Sequence, residues 1–438
     1  MAGSAPGKHK VDLLIRNISE LVTLDPATCG VPPGPRRGDG MRRLGILTDA
    51  ALAVKDGKVL LAGPDAEVAK QIGAVRRGKV LSGAGRTVVP GFVDAHTHLL
   101  FAGSRERELQ LKAEGLSYME ILARGHGIQS TVNATRKASD EEILLQSNRR
   151  LDSMLLHGTT TAEVKSGYGL TKEHELRLLS LIPRLAKANG MTLVPTFLGA
   201  HAVPVEYSGK TSEYVALIVS KMLPEVTKQG LARYCDVFCE EGAFDLEQTR
   251  TILQAAKQAD LGLKVHADEF NRLGGAELGA AMGAVSCDHL LASNDSDRKA
   301  MAAKGTIGVL CPATALALGG HFADARALIS GGVPVALGTD LSPNFWCESM
   351  QVAVALAVHR MKMSPAEALV AATVNAAHAI GEDDRGVIAP GKPADIVMLD
   401  IPTHAQVGYR FGTNLVHTVV KDGEVRVERG QTVPREVV

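Results

Sequence analysis

Eight short apolar runs, set between residues 88 and 340 and separated by longer segments of helical periodicity, leave this chain few architectures to choose from. The runs are VVPGFVDA (88–95), TTTAEVK (159–165), TLVPTFLG (192–199), YCDVFC (234–239), LKVHA (263–267), AVSCDHL (284–290), TIGVLC (306–311) and PVALGTD (334–340). Between most of them lie stretches such as DEEILLQSNRRLDSMLLHG and DLEQTRTILQAAKQADLG, whose apolar residues recur at helical spacing and which close near a Gly. Eight strands alternating with helices over about 250 residues is the count of a TIM (β/α)8 barrel. A doubly wound open sheet competes with it, but no GxGxxG follows an early strand.

The two ends read differently. VDLLIRNISELVTL and AALAVKDGKVLLAG near the start, and DIVMLD and LVHTVVKDGEVRVERG near the end, are strands and hairpins without helices between them. Val-Lys-Asp-Gly occurs twice, at Val54–Gly57 and Val420–Gly423, each time as an Asp-Gly hairpin turn between alternating apolar residues. The expectation is an α/β chain: a barrel over 89–385, inserted in a small β-sandwich formed by 1–88 and 386–438. Two loops stand out. Pro26–Arg43 reads as a mobile surface excursion, and Gly103–Thr135 is long for a strand-to-helix connection, as functional loops of barrels often are.

Composition narrows the partner class. With 48 basic and 48 acidic side chains the net charge is zero, which points away from nucleic acid and from an anionic membrane and towards a small-molecule ligand. No signal-peptide core opens the chain and no run of roughly 18 apolar residues interrupts it, so a cytoplasmic location is expected. Six scattered cysteines do not form a disulfide framework, and Cys235 and Cys239 are expected to pack one face of a strand.

The chemistry is concentrated at strand ends. His96 and His98 are two apart on an extended segment, so both side chains leave the same face and can share a metal ion. Alone, such a pair is commonplace. His266, His289 and Asp340, however, end the fifth, sixth and eighth runs, and in a barrel all those ends converge on one face. Burying so many ionisable groups is costly unless a cation satisfies them jointly, and His with Asp suits Zn²⁺ or Fe²⁺. Glu269 follows His266 by three residues, where a carboxylate can move a proton between a bound water and a leaving nitrogen. Glu240 and Glu241 offer a further carboxylate as a second metal ligand, a hydrogen-bond partner of the site, or a solvated charge. Asp94 shares the face of the two histidines and is left without a role.

This set, in a barrel carried by two β-rich ends, resembles the amidohydrolase superfamily over nearly the whole chain. Within it, DAHTHLLFAGSRE, EVKSGYGL, FLGAHAVP, CDVFCEEGAF, HADEFNRLGGAELGAAMGAVSCDHL and VNAAHAIG resemble the branch that opens an imidazolone ring bearing a propionate. The resemblance implies one Zn²⁺, Fe²⁺ or Fe³⁺ ion per subunit on His96, His98, His266 and Asp340, with Glu269, His289 and Asp340 as the catalytic groups. It further implies that Arg105, Tyr118 and Tyr168 hold the substrate's carboxylate, that His201 meets the ring, and that the chain is a homodimer. Three segments depart from the branch's pattern. TDLSPNFW has Ser342 where an Asn is usual, Gly125-His126-Gly127-Ile128 replaces a triple-glycine loop, and CPAT follows the seventh strand.

Overall fold

The computed structural model describes residues 8–116, 120 and 126–433. An eight-stranded sheet runs in sequence order through β6 (Phe92–Asp94), β7 (Thr159–Lys165), β8 (Thr192–Ala200), β9 (Tyr234–Cys239), β10 (Gly262–Ala267), β11 (Ser286–His289), β12 (Ile307–Leu310) and β13 (Val335–Leu337). Every pair from β7–β8 to β12–β13 is parallel. The segments that extend β6 and β13 close the ring: the Asp340 amide donates to the His96 carbonyl at 2.9 Å, the His98 amide donates to the Leu341 carbonyl at 2.9 Å, and Thr97 bridges Leu341. The expected barrel is therefore present, its strands buried on both faces as parallel sheets require.

A second, nine-stranded mixed sheet is built from both chain ends. β1 (His9–Val22), β2 (Ile46–Lys55), β3 (Lys58–Pro64), β4 (Ile72–Ser82) and β5 (Thr87–Pro90) come from the start, and β14 (Ile396–Leu399), β15 (Val416–Lys421), β16 (Glu424–Glu428) and β17 (Gln431–Thr432) from the end. The two sets join where β5 runs antiparallel to β14, pairing Val89 with Val397. Both repeated turns have positive φ at Asp and Gly: Asp56 +50° and Gly57 +77°, Asp422 +49° and Gly423 +83°. Mirror-image turns of this kind match the twist of the hairpins they close. The turns also meet: a Cβ on Gly423 would lie 2.8 Å from the Gly57 Cα, and Ala394 donates to Gly57 and accepts from Gly423. The repeat is thus two halves of one contact within the sheet.

The chain resolves into two compact units, Met1–Val93 with Met154–Thr160 and Ser349–Val438, and Asp94–Ser153 with Thr161–Glu348. Two details differ from the expectation. The first apolar run divides at Gly91, so Thr87–Pro90 belongs to the sheet of the chain ends and only Phe92–Asp94 to the barrel. Pro26–Arg43 is not a loose excursion. Arg36 is buried, its Nη1 and Nη2 donate to the carbonyls of Pro32 and Leu24, and its backbone exchanges two hydrogen bonds with the Asn375 side chain. Its Pro and Gly residues mark turns, which composition alone does not distinguish from mobility.

Candidate metal centre and active site

Period-two alternation along β10 and along the segment after β6 aims His266, His96 and His98 at one point. His96 Nε2 is 3.3 Å from His98 Nε2, and His98 Nε2 is 3.2 Å from His266 Nε2. Asp340 Oδ1 lies 3.6 Å from His96 Nε2 and 3.4 Å from His98 Nε2, and Thr314 holds the other oxygen at 2.6 Å. Carboxylates orient two of the rings from behind: His96 Nδ1 is 2.6 Å from Asp288 Oδ2, and His266 Nδ1 is 2.9 Å from Asp236 Oδ2. Burial, with the charge of Lys165 second, lowers His96 well below the ordinary imidazole range. Burial and the neighbouring His201 do the same for His98.

A neutral imidazole whose Nδ1–H faces a carboxylate presents a lone pair at Nε2. Several such lone pairs and a carboxylate oxygen facing one another repel unless a cation lies among them. Ligands about 2.0–2.1 Å from a tetrahedral ion stand about 3.3 Å apart, and the four separations just given run from 3.2 to 3.6 Å; His96, His98 and Asp340 form one cluster of donors, and His96, His266 and His289 another. The donor set fits a divalent ion.

The remaining expected groups surround this point. His289 has a left-handed backbone at φ +75°, as does Asp340 at +54°, a costly conformation for side-chain-bearing residues that is often found at functional sites. The His289 ring is 5.0 Å from that of His96, and its Nδ1 lies 3.8 Å from Glu269 Oε1. Burial, then the charges of Asp340 and Glu240, lift Glu269 well above the ordinary carboxylate range. Burial raises Asp340 to about 6 despite its bond from Thr314. His201 stacks on His98 with ring centres 4.7 Å apart, and burial drops it to about 3. The Tyr168 ring is 5.3 Å from that of His201.

His98, His266, Glu269, His289, Asp340, His201 and Tyr168 line one cavity of about 710 Å³, which Arg105, Phe238, Asn344 and Phe345 also border. Arg105 is fixed by a fork on Glu108, Nε to Oε1 at 2.8 Å and Nη2 to Oε2 at 2.7 Å, while Oε1 also accepts the Gly127 amide. Tyr118 lies outside the described residues. Ser342, at the position of the usual Asn, caps a turn instead: its hydroxyl accepts the Phe345 amide at 3.2 Å, and the turn places Asn344 and Phe345 at the cavity wall.

Residues 87–426 match the amidohydrolase family. The chain belongs to it. Imidazolonepropionase of Geobacillus kaustophilus is 45% identical over 96% of this chain and 99% of its own length. Imidazolonepropionase of Alkaliphilus metalliredigens is 44% identical over 97% and 100%. Among solved structures, an adenosine deaminase from Xanthomonas campestris with bound zinc superposes with a TM-score of 0.71 at 21% identity, covering 98% of this chain and 96% of that one. That likeness supports the fold.

In this amidohydrolase a layer of buried charge that strand periodicity alone does not single out lies inside the barrel. Lys165 Nζ lies 2.7 Å from Asp236, 2.8 Å from Glu163 and 3.6 Å from Asp288, and Lys264 Nζ lies 2.9 Å from Glu163 and 3.2 Å from the Ala95 carbonyl. All five side chains are fully buried. Burial alone would raise Asp236, but His266 and Lys165 outweigh it and hold the carboxyl well below the usual range. The signal was available: ionisable residues at the inward positions of TTTAEVK, YCDVFC, LKVHA and AVSCDHL cannot be bland in an apolar strand. Cys235 and Cys239 occupy the opposite face of β9; a Cβ on Gly275, in the helix Gly275–Met282, would stand 3.1 Å from the Cys239 sulfur.

Four carboxylates serve the backbone. Asp94 takes the amide and hydroxyl of Thr339 at 2.9 and 2.6 Å, which ties the first strand to the eighth. Glu240 accepts the amides of Glu241, Phe270 and Asn271, and Asp268 those of Leu273, Gly274, Gly275 and Ala276, so the turn that carries Glu269 is held on both sides. Glu175 accepts the amides of Gly167, Gly169 and Leu170 and so fixes the turn of Tyr168. Gly167 is required there: φ is +103°, and a Cβ would approach His201 Nδ1 to 3.0 Å.

Proposed function

We propose that this chain is a metal-dependent cyclic amidohydrolase that opens 4-imidazolone-5-propanoate to N-formimino-L-glutamate, the imidazolonepropionase reaction of histidine degradation. The observation that carries this reading is the convergence of His96, His98, His266 and Asp340 beside a buried Glu269 in a cavity that Arg105 borders. The identity of about 45% to full-length imidazolonepropionases supports the choice of substrate. In this reading the catalytic body is residues 89–385, less Val89 and Pro90, which pair with β14 in the sheet that 1–88 and 386–438 otherwise form.

A Zn²⁺ or Fe²⁺ ion on the four donors, one per subunit, would polarise the ring carbonyl and acidify the attacking water. Glu269 takes the proton of that water and gives it to the departing ring nitrogen. Burial and the neighbouring carboxylates disfavour its charged form, which favours its taking up the proton of that water. His289, 3.8 Å from Glu269, lies where a neutral imidazole can hydrogen-bond the developing oxyanion, and Asp340 completes the proton path. Arg105, held flat by Glu108, with Tyr168 and Tyr118, receives the propionate, and His201 packs against the ring. Binding the remote carboxylate sets the ring carbonyl against the reacting groups. The biological unit in this reading is a homodimer acting in the cytoplasm.

The deciding assay generates imidazolone propionate in place from urocanate and follows the loss of its ultraviolet band. Turnover that depends on added enzyme and on Zn²⁺ or Fe²⁺ is expected. Its absence at high enzyme concentration moves the activity to another ring amide or to deamination of a ring base.

A further inference from the structure

The segments that follow the first and the eighth barrel strands supply His98, Arg105, Asp340, Asn344 and Phe345, and the buried side chain of Arg150 touches both. Arg150, on the helix Asp140–Leu156, donates from Nη1 to the carbonyls of Leu99 and Phe101, each at 2.9 Å. Its guanidinium carbon sits 3.5 Å from the centre of the Phe101 ring and 4.9 Å from that of Trp346. Those two rings stand 5.2 Å apart and at 88°, so the cation occupies the corner between them. Burial lowers Arg150 only to about 10, and it remains a cation at neutral pH. Trp346 is half-exposed and its indole nitrogen donates to Glu348 at 2.9 Å. It directly follows Asn344 and Phe345, whose turn Ser342 caps.

We propose that Arg150 is a positioning residue that clasps these two segments, and that through Phe101 and Trp346 it sets where Arg105, Asn344 and Phe345 stand around the substrate. A planar guanidinium suits this role because it can stack on aromatic faces while its edge donates to carbonyls, which an ammonium cannot do together. The chain's usual-Asn position is filled by Ser342, so the polar reach of this wall passes to Asn344, and Asn344 is only as well placed as the turn that Trp346 anchors. The substrate consequence rests on the function proposed above; the clasp itself does not.

Trp346 is the only tryptophan in the chain, so intrinsic fluorescence reports on this corner alone. In metal-loaded Arg150→Met, the emission should shift to the red and acrylamide quenching should rise about twofold. With imidazolone propionate, KM should rise about tenfold with kcat little changed, the signature of lost positioning of substrate rather than of lost chemistry. Arg150→Lys keeps the charge but not the stack and should still loosen Trp346. Unchanged emission, quenching and KM in Arg150→Met overturn the proposal, as does a fall in Tm with those three readings unmoved. Should Arg150→Met fail to fold, Trp346→Leu at the half-exposed position serves: the same rise in KM supports the clasp, and an unchanged KM refutes it. If the parent protein turns over no imidazolone propionate, the proposed function fails, while the fluorescence of Arg150→Met still decides the clasp.

Discussion

The barrel and the sheet of the chain ends fill their interiors in opposite ways. The sheet packs Leu13, Ile15, Leu52, Val54, Val88, Ile396, Met398 and Val420 into an apolar core. Its buried ionisable residues find partners within the unit, as Lys421 does with Asp395 at 3.2 Å and Asp422 at 2.5 Å. The barrel interior instead carries Glu163, Lys165, Asp236, Lys264 and Asp288 beneath four metal-suited donors, and both ring nitrogens of His289 lack a hydrogen-bond partner among the described residues. Hydrophobic burial stabilises without demanding orientation. A buried polar network stabilises little in net terms but fixes directions, and the unmet groups are the ones that a ligand must meet.

Substitutions can separate the two regions. Glu269→Gln should lower kcat by about 10²–10⁴ with metal content and Tm retained; unchanged turnover removes Glu269 from the mechanism. Ile396→Ala, deep in the sheet, should do the reverse and cost about 2–5 kcal/mol in denaturant unfolding, with the metal content of the folded protein unaltered. Arg105→Met should raise KM for the carboxylate substrate about 10–100-fold through loss of a charge-assisted fork; a negligible change would favour a ring base without a carboxylate. Asp236→Asn should weaken Zn²⁺ binding about 10–100-fold in a chelator competition, because His266 loses the carboxylate behind it. Retained affinity there would mean that the charged layer serves folding alone.

The smallest effect expected is in the sheet unit. Glu20 accepts from the His404 amide at 2.6 Å, His404 Nδ1 at 2.8 Å and Thr403 at 3.1 Å. Burial opposes its ionisation, but the bonds from His404 outweigh burial and hold it below its ordinary 4.5. A depressed folded-state value means that the stabilisation is fully present above the unfolded value and is lost as pH falls through the folded one. Unfolding free energy should therefore fall more steeply below pH 4.5 in the parent than in Glu20→Gln. Parallel curves would show that the contact contributes nothing.

Much of the site was legible because its residues end apolar runs. His266, His289 and Asp340 stand out as ionisable groups where a barrel strand stops, and the HxH pair is visible by spacing alone. The charged layer was equally present in the sequence, yet Lys165 and Lys264 read as ordinary lysines until β7 and β10 turn them inward. Asp94 and Glu240 could not be placed for a different reason. Their partners, Thr339 and the amides of Phe270 and Asn271, are 245 and 30 or 31 residues away, and a carboxylate that caps a distant backbone leaves no local pattern.

The sequence by itself determined the alternation of strands and helices, the β-rich ends, the paired Asp-Gly turns and the kinds of side chain that end each barrel strand, because periodicity and turn chemistry are local. Tertiary structure alone decided that the two Val-Lys-Asp-Gly turns touch, that Gly91 divides the first run between two sheets, and that Arg150 spans the first and eighth loops. Those contacts join residues far apart in the chain, and their energies exist only once the strands have closed the ring.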